Sequence, residues 1–376
     1  MQCASVVFLR SNPIAPDPRV EKEARALHQA GYPVTIVGWD RAASLPLIEE
    51  REYARIERIA LPATFGTGVR NLPYLLRWQL RLCFWLWRNR RRYQIVHACD
   101  FDTVLPALMI SRLYGKKVVY DVFDFYADML RKTPSFLRRV VRRIDLWAMG
   151  RVDALILVDE ARKEQIRGAR PRRVEVIYNS PEPCPPPPVR STHGELRIAY
   201  VGLLQVERGL LEMLEVLERH PEWDLDLAGF GGDAEVILAV ARKLPNVRVY
   251  GRVPYEEAIR LYAQADVLFA TYDPAIPNHR YASANKLFEG MMLGKPVIVA
   301  RGTGMDRLVE RYKVGFVVDY GDVNQLESVL YKIACWRLRE KEAFAKRARA
   351  VYTENFSWDR MATRLVNLYA KLIQGE

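Results

Sequence analysis

Apolar residues recur along the chain in two rhythms. Short runs, "SVVFL" (5–9), "VTIVGW" (34–39), "QIVHA" (94–98), "KVVYD" (117–121) and "ALILVD" (154–159), alternate with stretches of helical spacing, the first over 20–30. Runs of this length predict buried strands, and their alternation with helices predicts a parallel sheet. Periodicity stops in "NSPEPCPPPPVRSTHGE" (179–195), where six of the eight residues from 181 to 188 are proline and an extended linker is expected. It resumes with "LRIAYVG" (196–202), a helix over 209–219, "WDLDLAG" (223–229), "VRVYG" (247–251), "ADVLFAT" (265–271), "PVIVA" (296–300) and "GFVVD" (315–319). The chain reads as two doubly wound α/β domains, 1–180 and 195–356, joined by a linker over 181–194. The closing "SWDRMATRLVNLYAKLIQ" (357–374) puts Trp358, Met361, Leu365, Leu368 and Leu372 on one helical face, expected to pack back on the first domain.

At 376 residues the chain exceeds the usual size of a single core, which agrees with two domains. Its 57 basic and 45 acidic residues give a net charge of +12, which favours phosphate-bearing partners. Basic and aromatic residues do not interleave as in nucleic-acid modules, so no nucleic acid is expected. Cys3, Cys83, Cys99, Cys184 and Cys335 are odd in number and widely spaced, which argues against a zinc site or disulfide framework and for a reduced, cytoplasmic compartment. No basic segment precedes "SVVFL" and no long apolar run follows, so neither a leader nor a membrane span is expected.

Three stretches carry candidate chemistry. "YVGLLQVERG" (200–209) ends a strand at Gly202 and delivers Arg208 to the next helix; glycine lets backbone approach a phosphate, and arginine pairs its oxygens. An ordinary loop with a solvated arginine explains it equally well. "DLAGFGGD" (226–233) sets Gly229 and Gly231 after another strand, for a ligand or a tight turn. In "SANKLFEGMMLGKPVIVA" (283–300), Ser283 or Asn285 is expected to cap a helix whose amides near Lys286 meet an anion. Glu289 follows Asn285 by four residues on the same face, about 6 Å along the axis, which is the step from a diphosphate to a ribose. Leu287, Phe288, Met291 and Met292 surround it, against the alternative of a surface glutamate paired with lysine.

Together these pieces resemble glycosyltransferase family 4, from "DPRVEKEARALHQAGYPVTIVGWDR" to the closing helix. "NKLFEGMMLGKPVIVA" resembles the family's second glutamate and its helix, "VGLLQVERG" the phosphate loop, and "YGRVPYEEAIRLYAQADVLFAT" the segment against the base. The resemblance implies the GT-B fold, two Rossmann-like domains facing a cleft, and a retaining, metal-independent transferase with a nucleotide-sugar donor and no cofactor. It implies that Arg208 and Glu289 are catalytic, neutralising the diphosphate and binding ribose. The donor would also meet Gly202, Gly229, Gly231, Ser283, Asn285, Lys286, Leu287 and the backbone at Val253. The chain departs from the family at Tyr281 and Leu203, where a glutamate and an arginine are frequent, and at Phe123–Asp124, where a histidine–glutamate pair is frequent. "APDPR" replaces a glycine-rich loop, which makes Arg19 a phosphate candidate; Asp124 is an acceptor candidate. His279 is either a sugar-pocket residue or an exposed loop histidine. A nucleotide-sugar epimerase or hydrolase and a non-catalytic nucleotide-sugar-binding protein are the alternatives.

In "VRNLPYLLRWQLRLCFWLWRNRRRY" (69–93), Arg70, Arg77, Arg81, Arg88 and Arg92 fall within about 60° of helical arc, flanked by Trp78, Phe84 and Trp85. Leu72, Leu75, Leu82 and Leu86 lie opposite and are expected to pack on the sheet. A solvated arginine face is the plain reading. Aromatics beside a basic stripe favour a bilayer interface, and "FLRRVVRRIDLW" (136–147) adds four arginines. The expectation is a peripheral protein on the cytoplasmic face of an anionic membrane, with a lipid-linked saccharide or glycolipid acceptor.

Overall fold

A computed structural model describes residues 4–63, 72–130, 133–190 and 194–374, so Cys3 and Arg70 lie outside the described residues. The chain divides into two compact units, 1–178 with 361–376 and 179–360.

The first unit is built on an eight-stranded sheet of β1 (Val6–Arg10), β2 (Val34–Asp40), β3 (Ile48–Arg51), β4 (Ala54–Ala60), β5 (Ile95–Cys99), β6 (Lys117–Val122), β7 (Ala154–Leu157) and β8 (Val174–Val176). Their order is β3-β4-β2-β1-β5-β6-β7-β8, and only β3 runs antiparallel to its neighbour. The apolar runs of β1, β5 and β7 are buried along almost their whole length, as strands covered on both faces must be. The helices Leu72–Arg88, Phe101–Tyr114 and Ser135–Met149 make successive crossovers toward β7, and right-handed crossovers put all three on one face of the sheet. From Met361 onward the helix Trp358–Gln374 belongs to this unit; Met361, Leu365, Leu368 and Leu372 are buried, and Arg364 donates to the Val176 carbonyl at 3.0 Å.

The second unit holds a parallel sheet of β9 (Leu196–Leu203), β10 (Trp223–Phe230), β11 (Val247–Gly251), β12 (Val267–Ala270), β13 (Val297–Ala300) and β14 (Gly315–Val318), in the order β11-β10-β9-β12-β13-β14. The proline-rich segment packs on this unit: Tyr352 donates to the Pro181 carbonyl at 2.8 Å, and Arg190 pairs with Asp266 at 3.1 Å. Strand order reverses at β1/β5 in the first sheet and at β9/β12 in the second. Crevices for ligands open beyond the carboxyl ends of strands at such reversals. No described helix is long and apolar enough to cross a membrane.

Candidate functional site

At the carboxyl ends of β9 and β12 the second unit concentrates positive charge. Arg208, on a 3-10 turn after β9, donates from Nε to Gln205 at 2.9 Å and from Nη1 to the Tyr272 hydroxyl at 3.0 Å. Gly209 behind it has φ 70, and a Cβ there would overlap Thr271, so only glycine lets this turn close on the end of β12. Lys286 is buried at 4% exposure; its ammonium donates to the Val201 carbonyl at 3.2 Å and lies 3.7 Å from the Tyr200 ring centre. Burial, with the Arg208 charge nearby, pushes this ammonium down to about 7, opposed only in part by Glu289. A buried cation without a full carboxylate partner is poised for an anion. The sequence expectation named Lys286 among the donor-binding residues; what it did not give is the path of the side chain, one residue into a helix and folded back on β9.

That helix, Asn285–Leu293, begins differently from expectation. Its N-cap position is Ala284 and no side chain caps it, so neither Ser283 nor Asn285 fills the capping role. Asn285 is exposed, and Ser283 offers its carbonyl to Asn179 at 3.5 Å. Glu289 is buried one turn in, beside Tyr255 and Lys286. Burial, followed by the adjacent Glu289 carboxylate, holds the Tyr255 phenol above its ordinary range. Leu287 is wholly buried, so its side chain is core and only its backbone is available to a donor. His279 corrects the exposed-loop reading: it is buried, with its ring 5.2 Å from Tyr272, the partner of Arg208.

Gly229 and Gly231 have a packing explanation. A Cβ at Gly229 would overlap the Gly202 carbonyl, and one at Gly231 would come 2.7 Å from the Leu204 carbonyl oxygen. The two glycines draw the ends of β9 and β10 together and so fix the loop that leads to Arg208. Val253 lies in the loop between β11 and the helix Tyr255–Gln264, half-buried.

In the first unit, Arg19 is a correction. Its guanidinium grips Asp121 through Nε and Nη2, both at 3.0 Å, pairs with Glu23 at 3.1 Å and donates to the Ile177 carbonyl at 2.9 Å, which commits it to the interior rather than to a phosphate. Among the described residues, Glu23, His97 and Asp121 offer donor atoms close enough for a metal ion, but Arg19 already supplies the positive charge there. Asp124 is exposed and pairs with Arg162 at 2.8 Å.

The first unit also holds a feature that sequence reasoning missed. Asp100 directly follows β5, at the strand reversal, with φ 63, a strained conformation for a non-glycine residue. It accepts from the Phe123 amide at 2.9 Å and pairs with Arg10, which in turn pairs with Asp17 at 2.8 Å and lies 4.1 Å from the Phe123 ring. Burial, opposed by Arg10 and helped by Asp102 and Asp124, pushes the Asp100 carboxyl up to about 6. The signal was available: an aspartate immediately after a buried strand run.

The helix Leu72–Arg88 is turned relative to expectation. Trp78 is wholly buried, stacked on Trp39 at 5.0 Å, and Trp85 is half-buried, donating to Glu57 at 2.9 Å. Both therefore face inward. Leu82 and Leu86 pack as expected, Leu75 is half-buried and Leu72 is exposed; Arg77, Arg81 and Arg88 remain exposed.

Two doubly wound units, with a cationic site beyond the strand ends of the second, define the architecture of sugar transferases that handle activated donors. The chain belongs to the glycosyltransferases: residues 19–180 match the model of Glycosyltransferase Family 4, and residues 195–334 match that of Glycosyl transferases group 1. It is 25% identical over 301 residues to a glycogen synthase of Mycobacterium tuberculosis, covering 76% of this chain and 70% of that protein. It is 28% identical over 190 residues to a D-inositol 3-phosphate glycosyltransferase of Corynebacterium jeikeium, covering 46% and 43%. The fold is similar to sucrose-phosphate synthase of Thermosynechococcus elongatus, with a TM-score of 0.80 at 16% identity over 99% of this chain and 100% of that one. HepE of Anabaena, solved with UDP and glucose, gives 0.71 at 14% identity over 98% and 100%.

Proposed function

We propose that the chain is a retaining glycosyltransferase that binds a nucleotide-sugar at the β9/β12 reversal and delivers the sugar to a lipid-linked acceptor. The observation that carries this reading is the gathering of Arg208, the Lys286 ammonium and Glu289 beyond the ends of two adjacent strands. The cations suit a diphosphate and the carboxylate suits the ribose hydroxyls. Lys286 supplies the second positive charge that Leu203 withholds.

In the reaction, the bond between the anomeric carbon and the diphosphate oxygen breaks as the acceptor oxygen bonds to that carbon from the same face. The acceptor's hydroxyl proton passes to the departing phosphate oxygen. Charge grows on that phosphate, and preorganised Arg208 and Lys286 stabilise it as it forms. In the first unit, ionised Asp100 accepts a hydrogen bond from an acceptor hydroxyl and orients it. The UDP complexes of HepE make uridine diphosphate sugars the first donors to try.

The lipid reading rests on a face different from the one the arginine stripe suggested. Leu72, Leu76, Leu80, Phe84 and Trp87 form an exposed row on the helix Leu72–Arg88, with Leu80 at 69% exposure. Phe136, Val140, Ile144 and Trp147 form another on the helix Ser135–Met149, on the same side of the sheet. Arg77, Arg81 and Arg88 border the first row, and Arg139 and Arg143 are exposed beside the second. Apolar rows of this extent edged by arginine suit insertion at a bilayer surface, with phosphates meeting the guanidinium groups. Turnover with a panel of nucleotide-sugars and lipid-linked acceptors tests the reading: acceptor-dependent nucleotide release supports it, and release without any acceptor product contradicts it.

A further inference from the structure

The second unit has another concentration of charge, at the opposite edge of its sheet. Asp266 immediately precedes β12, and Lys295 lies two residues before β13, whereas the donor site lies beyond the carboxyl ends. A four-residue strand separates the two edges by about 13 Å. Around Asp266 stand Arg190 at 3.1 Å and Lys341 at 3.4 Å, and both line a small open pocket with Lys295, Trp336 and Phe344.

The balance of charge there is one-sided. Lys295 is 7% exposed and has no hydrogen bond or ion pair from its ammonium among the described residues. Arg349 reaches the same corner over Gly294, and its buried Nη1 has no hydrogen-bond partner among the described residues. Burial pushes the Lys295 ammonium down to about 8; Asp266 opposes this, and the charges of Arg190, Lys341 and Arg349 add to it. Lys295 and Arg349 thus face a carboxylate that already pairs with Arg190 and Lys341 and accepts from the Arg197 amide at 3.0 Å. Leaving buried charge uncompensated is costly, and an anion seated beside Lys295 removes that cost.

We infer that the pocket of Arg190, Lys295 and Lys341 is a binding site for a phosphate-class oxyanion, separate from the donor site. Trp336 and Phe344 offer apolar walls for the carbon skeleton of an organic phosphate, while free phosphate would use the cations alone. The helix Asn285–Leu293 starts at the donor site and ends beside Lys295, so an anion here is placed to influence donor binding through a single rigid element.

The test follows thermal unfolding of the full chain as inorganic phosphate replaces chloride at constant ionic strength, and then as glucose 1-phosphate does. The expected result is a rise of about 2 °C or more that survives in Arg208→Ala and disappears in both Lys295→Met and Lys341→Met. A larger rise with glucose 1-phosphate assigns the site to an organic phosphate, and an equal rise assigns it to free phosphate. No rise in the wild-type protein overturns the inference. So does a rise lost in Arg208→Ala and kept in Lys295→Met, which would place the phosphate in the donor site instead.

Discussion

The Lys286 ammonium sits 3.7 Å from the centre of the Tyr200 ring and 3.2 Å from the Val201 carbonyl, inside the fold and beside the end of β9. The aromatic face and one carbonyl are weak substitutes for a carboxylate, so the cation favours an incoming anion.

The first prediction follows from its titration. With the group held near 7 in the free protein, donor diphosphate binding takes up a proton above that pH. Affinity for a nucleotide-sugar should therefore rise as pH falls from 8.5 to 6, and the dependence should vanish in Lys286→Met. Calorimetry in buffers of different ionisation enthalpy reads both; a flat profile in the wild-type protein rejects the assignment. Stability carries the opposite sign. A lysine depressed in the folded state binds its proton more tightly when unfolded, so wild-type stability is lost as pH falls from the ordinary lysine range toward about 7, and the loss is complete below that. Lys286→Met should be the more stable protein at pH 6.

Glu289→Gln keeps the shape of the buried group and removes its charge. Donor affinity should weaken by about 1 to 3 kcal/mol, the range for charged hydrogen bonds. Unchanged affinity with an intact fold would exclude ribose binding by this residue.

Asp100→Asn separates acceptor chemistry from donor binding. The carboxyl is pushed up to about 6, so turnover should climb with pH between 5 and 7 as it ionises. The asparagine variant should lose that limb and about 10²-fold of turnover while donor affinity stays the same. A preserved limb would assign it to another group.

Vesicle co-sedimentation addresses the surface. Binding should require anionic lipid, weaken with salt, and fall sharply when Leu80 and Phe84 become Glu or when Arg77, Arg81 and Arg88 become Glu. Several basic residues at about 1 kcal/mol each suffice for reversible attachment. Sedimentation unaffected by the Leu80 and Phe84 changes would show that the apolar row is not the contact.

Most strands were legible because their apolar runs are buried on both faces and leave an unbroken signal. The hairpin of β3 and β4 was not, since its core-side position 58 holds an arginine. Arg58 is buried there, donating to the Pro13 carbonyl at 2.7 Å and the Pro46 carbonyl at 3.0 Å, and an arginine in a core slot hides the period of two. At three residues, β8 was too short to register. The helix Leu72–Arg88 misled because its leucines spread over about 160° of arc, from Leu82 round to Leu80. Counting them could not tell which side meets the sheet, and the stacking of Trp78 on Trp39 is a tertiary contact that no local pattern announces. The candidate site was legible as backbone and charge, in glycine after a strand, Arg208 and Glu289. The Lys286 side chain and the burial of His279 depend on how the helix and loop fold back on β9 and β12.

The central claim is that Arg208 at the β9/β12 reversal meets the donor diphosphate where charge develops. Its most direct test is single-turnover transfer by Arg208→Ala beside the wild-type protein, with saturating nucleotide-sugar and an accepted acceptor. The account predicts a rate lower by about 10²- to 10³-fold with the fold intact. A variant that transfers sugar at the wild-type rate would contradict it.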